Sequence, residues 1–196
     1  MSDNNEVLLT KKQVKAILKQ SKFTGNEARP ALKALFKRGE YVYYTDRFTV
    51  VRWNLGVLAA DILDESYIPF DKNYARQLGG AFKTDFNLDE WSKLADAKKT
   101  INLNESTIWS THATVHFPSV EKIFNTSGAR SDDFNSVAFN PIFINNISDI
   151  LGVLKGEPLK MIKPIAGSPI IKPWKFIRPG YGNSVEALIV PMRYGD

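Results

Sequence analysis

The stretch that most constrains the fold is Val185-Glu-Ala-Leu-Ile-Val-Pro-Met-Arg193. Ala187 to Val190 reads as a last buried strand, closed by Pro191, Met192 and Arg193. A proline fits there because it donates nothing to a ladder and suits a strand end. Strict alternation along the strand puts Leu188 and Val190 on one face and Ile189 on the other. Two earlier signals accompany it: a turn-like Thr45-Asp46 dipeptide, and a helix opened by Asn140-Pro141.

The clearest helix starts near the beginning of the chain. Thr10 is placed as N-cap with Gln13 three residues on, the capping-box spacing, and Leu9 and Val14 are spaced for a hydrophobic staple. The helix is expected over Lys11 to about Lys22. At roughly 100° per residue, Lys11, Lys12, Lys15, Lys19 and Lys22 share an arc of about 100°, opposite Val14, Ile17 and Leu18. No acid interrupts that arc. Like charges at i,i+4 spacing destabilise a helix unless something compensates, so the stripe suits a phosphate backbone as well as a solvated face.

The next elements follow from turn residues and β-propensity. Ala31–Lys37 reads as a strand, Arg38-Gly39 as a turn, and Tyr41–Trp53 as strand material that Thr45-Asp46 breaks into a hairpin or bulge. Leu58–Leu63 is open between helix and strand, and Tyr67-Ile68-Pro69 reads as its end. A second helix is expected from Asn87, with Glu90 at the third position and Phe86 and Trp91 as staple. Strands are expected at Thr100–Leu103, Ser106–Ser110, Thr111–Phe117 and Ser136–Phe139, with an irregular stretch from Pro118 to Asn125. Asn140 caps a helix with Pro141 at its first position, and Gly156 is expected to stop it. Strands at Leu159–Ile165, Ile170–Ile177 and Val185–Arg193 complete the chain. This repeated helix-then-strands grammar predicts an α+β fold, with helices on one side of antiparallel sheets. At 196 residues it is divided as a first domain over 1–117 and a compact second one over 118–196.

Composition narrows the function classes. With no cysteine, disulfides, thiolate metal sites and cysteine nucleophiles are excluded. No apolar run reaches membrane-spanning length, and no signal-peptide core follows the polar start, so a cytoplasmic location without membrane contact is expected. The net charge of +5 favours a polyanionic partner. No phosphate-cradling glycine loop or dinucleotide turn appears. His112 and His116 could hold a metal only with a third ligand from elsewhere, and they read as ordinary strand histidines. Asp61, Asp64 and Glu65 are a poor basis for a nuclease centre, and Ser168 lacks an evident histidine partner. Neither enzymatic activity nor a cofactor or metal is expected.

Several of these pieces, in order, resemble the bacterial DNA polymerase III beta sliding clamp family. The tail Ala187-Leu-Ile-Val-Pro-Met-Arg193 is similar to that family's C-terminal strand and its Met-Pro-Met-Arg ending, with Val190 in place of the first Met. Val137–Leu151 resembles the strand and helix of its last domain, and Ser168-Pro169-Ile170 fits between them. Arg29-Pro30-Ala-Leu32 and Tyr44–Val50 resemble the start of its middle domain and its Thr-Asp-Gly-His-Arg-Leu turn. Phe117–Phe124 resembles the crossover that follows. Arg47 and Phe48 replace the family's Gly-His, and Asn125 stands where a proline is usual.

The resemblance implies a DNA-clamp-like fold and a non-enzymatic processivity factor. Such a protein assembles as a homo-oligomeric ring around duplex DNA and tethers a DNA polymerase or other replication proteins by their short clamp-binding peptides. It implies DNA contacts at Lys11, Lys12, Lys15, Lys19 and Lys22. It implies a peptide pocket of Thr45, Phe48, Val50, Ile123, Phe124, Leu188, Val190, Pro191 and Met192. The chain is short for a three-domain protomer. It has room for one full domain and a compact second one, as in clamps that close as trimers, and a phage or mobile-element origin fits. The alternative is a clamp-like regulatory protein that keeps the pocket without encircling DNA.

Overall fold

The computed structural model describes residues 6–24, 32, 34–69, 101–106, 109–111, 117–121, 124, 139–162, 164, 173–180 and 185–191. The expected helix from Asn87, the two histidines and residues 136–138 of the expected Ser136–Phe139 strand lie outside these residues.

The first helix, α1 (Lys11–Thr24), begins as its sequence signals. The Thr10 backbone N–H and hydroxyl both donate to Gln13 Oε1, at 3.0 and 2.8 Å, and the Gln13 N–H reaches back to Thr10 Oγ1 at 3.4 Å. A two-stranded ladder precedes it: β1 (Leu8–Leu9) pairs with β6 (Ile101–Asn102). Sequence reasoning did not expect β1, because two residues carry no readable periodicity.

The remaining strands build one antiparallel sheet. They are β2 (Ala34–Arg38), β3 (Tyr41–Thr45), β4 (Thr49–Asn54), β5 (Ser66–Pro69), β7 (Ser110–Thr111), β8 (Lys160–Ile162), β9 (Trp174–Ile177) and β10 (Val185–Ile189). Their spatial order is β7-β5-β2-β3-β4-β10-β9-β8. Between β2 and β3, Gly39 takes the left-handed backbone of the tight turn, at φ 58°. The central joint is β4 with β10, antiparallel through Val185↔Trp53 to Ile189↔Thr49. These strands come from either side of the expected division at 117 and 118, yet they belong to a single sheet.

The sheet buries both faces. On one side Leu35, Val42, Tyr44, Val51, Trp53, Phe176, Ala187 and Ile189 pack against Val14 and Ile17 of α1 and Ile147 and Ile150 of α2 (Pro141–Ile150). On the other side Ala34, Phe36, Tyr43, Tyr67 and Leu188 pack under Phe117, Val120 and Phe124. Burial on both faces explains why Tyr41–Tyr44 is a continuous apolar run rather than an alternating one. Helices α1 and α2 lie on one side of the sheet, whereas Phe124, helical where an irregular stretch was expected, packs on the other, and the fold is α+β.

Helix α2 is capped as read: the Asn140 side chain accepts from the Ile142 N–H at 2.9 Å, with Pro141 following. It packs antiparallel to α1. Gln13 Nε2 donates to the Ile150 carbonyl at 3.0 Å, and Lys12 meets Asp149 at 2.7 Å. Its end differs from expectation. The helix stops at Ile150 and Gly152 takes the left-handed position at φ 73°, one turn before Gly156. Leu154, which lies before Gly156 but past the end of the helix, is exposed.

Other expectations need revision. Leu58–Leu63 lies largely in a 3₁₀ helix, Gly56–Asp61. Tyr67-Ile68-Pro69 is not a terminator but most of β5, paired to β2, with Pro69 as the last residue of the strand. Within the expected Ser106–Ser110 strand, residues 107 and 108 lie outside the described residues, and the Trp109 N–H donates to the Ser106 carbonyl at 3.3 Å. Phe139 lies outside any strand, with its ring edge-on to Trp174 and Phe176.

Gln13 serves both the cap of α1 and the C-terminal end of α2. Gln13→Ala is expected to lower unfolding free energy by about 1–2 kcal/mol, read from urea melts. Burial, the leading cause, raises the Tyr43 and Tyr67 phenols to about 12, with nearby carboxylate charge adding to it. The unfolded phenols ionise near 10.0, so the stabilising difference is intact below that pH and is lost as pH rises through about 12. Urea midpoints measured from pH 9 upward are expected to fall across that window. Tyr43→Phe and Tyr67→Phe together should flatten the fall.

Candidate functional site

Two surfaces carry the residues that the sequence singled out. The first is the outward face of α1. Lys11, Lys15 and Lys19 are exposed, and among the described residues no carboxylate lies within ion-pair distance of them. Lys12 differs, because its ammonium is bridged to Asp149 of α2. Both partners are largely exposed, so the bridge adds at most about 1 kcal/mol to stability, but it occupies the cation. The Lys22 side chain lies outside the described residues. The three exposed lysines project from the helix layer on the side away from the sheet, because Val14, Ile17 and Gln20 turn the opposite face of α1 inward.

The second surface is where β3, β4 and β10 end together. Register brings Thr45, Val50 and Leu188 into one row across the three strands, on the side away from the helices. Phe124 joins Leu188 and Val50 there. Leu188 and Phe124 are each 1% exposed, so the chain itself covers this part of the expected pocket. Thr45 is buried as well, and its hydroxyl donates to the Thr49 carbonyl at 2.8 Å.

The accessible apolar atoms sit at the rim. Phe48 is 47% exposed and Val190 40% exposed, and the Val190 N–H donates to the Phe48 carbonyl at 3.0 Å. Pro191 beside them is half-buried. Phe48 does not join the Thr45–Leu188 row. Its ring turns to the helix side and stacks on Phe143 of α2, with centroids 5.3 Å apart. Ile123 and Met192 lie outside the described residues.

The turn that presents Phe48 is built around Asp46, which is fully buried. Its Oδ1 accepts the Phe48 N–H at 2.9 Å and the Thr49 N–H at 2.6 Å. Its Oδ2 accepts Gln20 Nε2 of α1 at 2.5 Å. Gln20 Oε1 in turn accepts the side-chain amide of Asn146 on α2. Arg47 takes the left-handed conformation at φ 85°, a backbone state that a glycine holds more cheaply. Burial first, and the Asp46 charge second, push the neighbouring Tyr44 phenol well above its ordinary value.

One cluster was not legible in the sequence. Glu186, 3% exposed, receives Arg52 at 2.5 Å and Lys175 at 3.1 Å. The Arg52 guanidinium lies 4.1 Å from the Phe124 ring centre and 4.5 Å from that of Tyr41. With Arg38–Glu121 at 2.7 Å, these contacts fasten the 117–124 segment onto the sheet. Only the β4–β10 register brings Arg52 and Glu186 opposite each other. The acidic neighbours Asp64 and Glu65 are engaged by Lys37 and Arg38. Among the described residues no three histidine, aspartate or glutamate side chains converge, and no helix is long and apolar enough to cross a membrane.

No family model matches the sequence, and no curated protein matches it. Among solved structures, the chain is similar to the DNA polymerase sliding clamp of Bacillus subtilis, with 13% identity and TM-score 0.45 over 100% of this chain and 66% of that one. It is also similar to the beta subunit from DNA polymerase of Streptococcus pyogenes, with 14% identity and TM-score 0.45 over 98% and 67% of the two chains. A third likeness is to the DNA polymerase III beta subunit of Thermotoga maritima, with 10% identity and TM-score 0.45 over 97% and 66%. The chain thus spans 66% of the length of the first of these clamps.

Proposed function

We propose that this chain is a DNA sliding clamp or clamp-like processivity factor. It assembles as a homo-oligomeric ring on duplex DNA in the cytoplasm and tethers a polymerase or other replication proteins by short apolar peptides. It performs no catalysis of its own. The observation that carries the reading is the row of exposed lysines on α1. Lys11, Lys15 and Lys19 stand on the helix layer, and no described carboxylate neutralises them. A helix face of this kind meets phosphates without reading sequence, as a protein that slides must.

The rest of the geometry supports the same assignment. Helices α1 and α2 lie together on one side and a long antiparallel sheet backs them, so the α1–α2 side can face DNA. Strands from the first and last parts of the chain join at the β4–β10 ladder. The apolar rim of Phe48, Val190 and Pro191 lies at the end of that joint. It is the accessible portion of the peptide site in this reading. The buried Thr45, Leu188 and Phe124 support it from beneath.

Fluorescence anisotropy on a labelled duplex, together with light-scattering mass, tests the proposal. The triple variant Lys11→Glu, Lys15→Glu, Lys19→Glu is expected to weaken binding at low salt by at least about tenfold and to reduce the log–log salt slope by about 2–3. Lys12→Gln should stay within about twofold, since its cation already serves Asp149. A protein that remains monomeric and binds no duplex at low salt overturns the proposal.

A further inference from the structure

We infer that Asp46 and Gln20 are positioning residues for the Phe48–Val190 rim, and that through them the seating of α1 sets the shape of that rim. The inference rests on reading the rim as the place where a partner peptide docks.

The two carboxylate oxygens of Asp46 hold different partners. A tight turn needs only one of them. Oδ1 takes both backbone donors, Phe48 N–H and Thr49 N–H, and it closes the turn around the left-handed Arg47 together with the Asp46 N–H to Thr49 carbonyl bond at 3.2 Å and the Arg47 N–H to Thr45 hydroxyl bond at 3.3 Å. Oδ2 is not required by the turn. It is spent on Gln20 of α1, 26 residues away in sequence, and Gln20 continues to Asn146 of α2.

The cost of this arrangement shows that it is specific. A fully buried carboxylate is expensive unless it is paired or hydrogen-bonded. Among the described residues no lysine or arginine lies within ion-pair distance of Asp46, so neutral donors satisfy it. Those donors must hold their geometry closely, since each lost bond leaves a buried charge short of a partner. Apolar packing surrounds this bond, and Gln13, bonded to the Ile150 carbonyl at 3.0 Å, ties the first turn of α1 to α2, so Gln20–Asp46 is a directional link between α1 and the turn and is more sensitive to a shift than the packing around it.

Consequently a small shift of α1 changes the Gln20–Asp46 bond before it disrupts the core. The effect reaches the rim directly. Asp46 sets the Phe48 N–H, the Phe48 ring stacks on Phe143 of α2, and the Phe48 carbonyl holds the Val190 N–H. Lys19, on the exposed face, is the immediate chain neighbour of Gln20. Contact with a polyanion along α1 therefore bears on the residue that fastens the turn.

Residue-resolved amide hydrogen exchange tests this without a partner peptide. Gln20→Leu keeps roughly the side-chain volume but donates nothing. It is expected to speed exchange of the Phe48 and Thr49 amides by about tenfold or more, with the β2 amides changing less than about threefold. Asp46→Asn should retain protection within about threefold, because its amide oxygen still accepts both backbone donors while Gln20 turns over. If Gln20→Leu does not fold, Asn146→Leu at the far end of the chain should give the same pattern at about threefold. Unchanged exchange at Phe48 and Thr49, or acceleration spread evenly over β2, overturns the inference. A short duplex added to the unaltered protein should change exchange at Phe48 and Thr49, and should fail to do so in Gln20→Leu. Absence of duplex binding counts against the clamp reading, while the comparison without DNA still decides the role of Gln20 and Asp46.

Discussion

The ladder between β4 and β10 is the contact on which the other features depend. It joins strands about 130 residues apart in sequence by direct hydrogen bonding, residue for residue from Trp53–Val185 to Thr49–Ile189. Three consequences follow from its register. Leu188 lies beside Val50 and Thr45 on one face. Glu186 meets Arg52 on the same face, which lets Arg52 sit under the Phe124 ring. Ala187 and Ile189 point the other way, into the layer where α1 meets α2. A shift by one residue would exchange these two sets, and would place Glu186 among the helices.

The two faces solve different problems. The helix side is an apolar core crossed by the polar chain Asp46–Gln20–Asn146 and by the Gln13–Ile150 bond. The opposite side carries aromatic rings, Phe36, Tyr43, Phe117 and Phe124, with a buried ion cluster at its edge. A buried ion cluster is weak evidence for stability but strict about geometry. Here it fixes where the 117–124 segment lies on the sheet, and so which apolar atoms stay open at the rim.

What the sequence revealed was local. The Thr10–Gln13 box and the Asn140–Pro141 cap were readable because donor and acceptor are a few residues apart. The hairpin at Thr45-Asp46 was readable for the same reason, since Asp46 bonds its own turn. What stayed hidden was pairing at a distance. Strands β1 and β5 gave no signal, one being two residues long and the other ending in a proline that suggested a break. The lysine stripe was legible as a stripe, but the Asp149 partner of Lys12 depends on how α1 and α2 pack. Thr45, Val50 and Leu188 do share one row, but neither the burial of Leu188 and Phe124 nor the turning of Phe48 toward Phe143 could be read before the register was known.

The Lys12–Asp149 bridge leaves Lys11, Lys15 and Lys19 as a single file, each step rising about 6 Å along the helix. Cations in single file at i,i+4 spacing repel, and each such contact works against the helix by about 0.2–0.5 kcal/mol at low ionic strength. Dissolved salt screens that repulsion over a distance of about 10 Å at 0.1 M, and it screens attraction to a polyanion in the same way. The helix is therefore most strained in the dilute conditions where it would hold nucleic acid most firmly. Under the proposed function, folding and binding would respond to ionic strength with opposite sign, and a bound phosphate chain would relieve the helix in place of the salt.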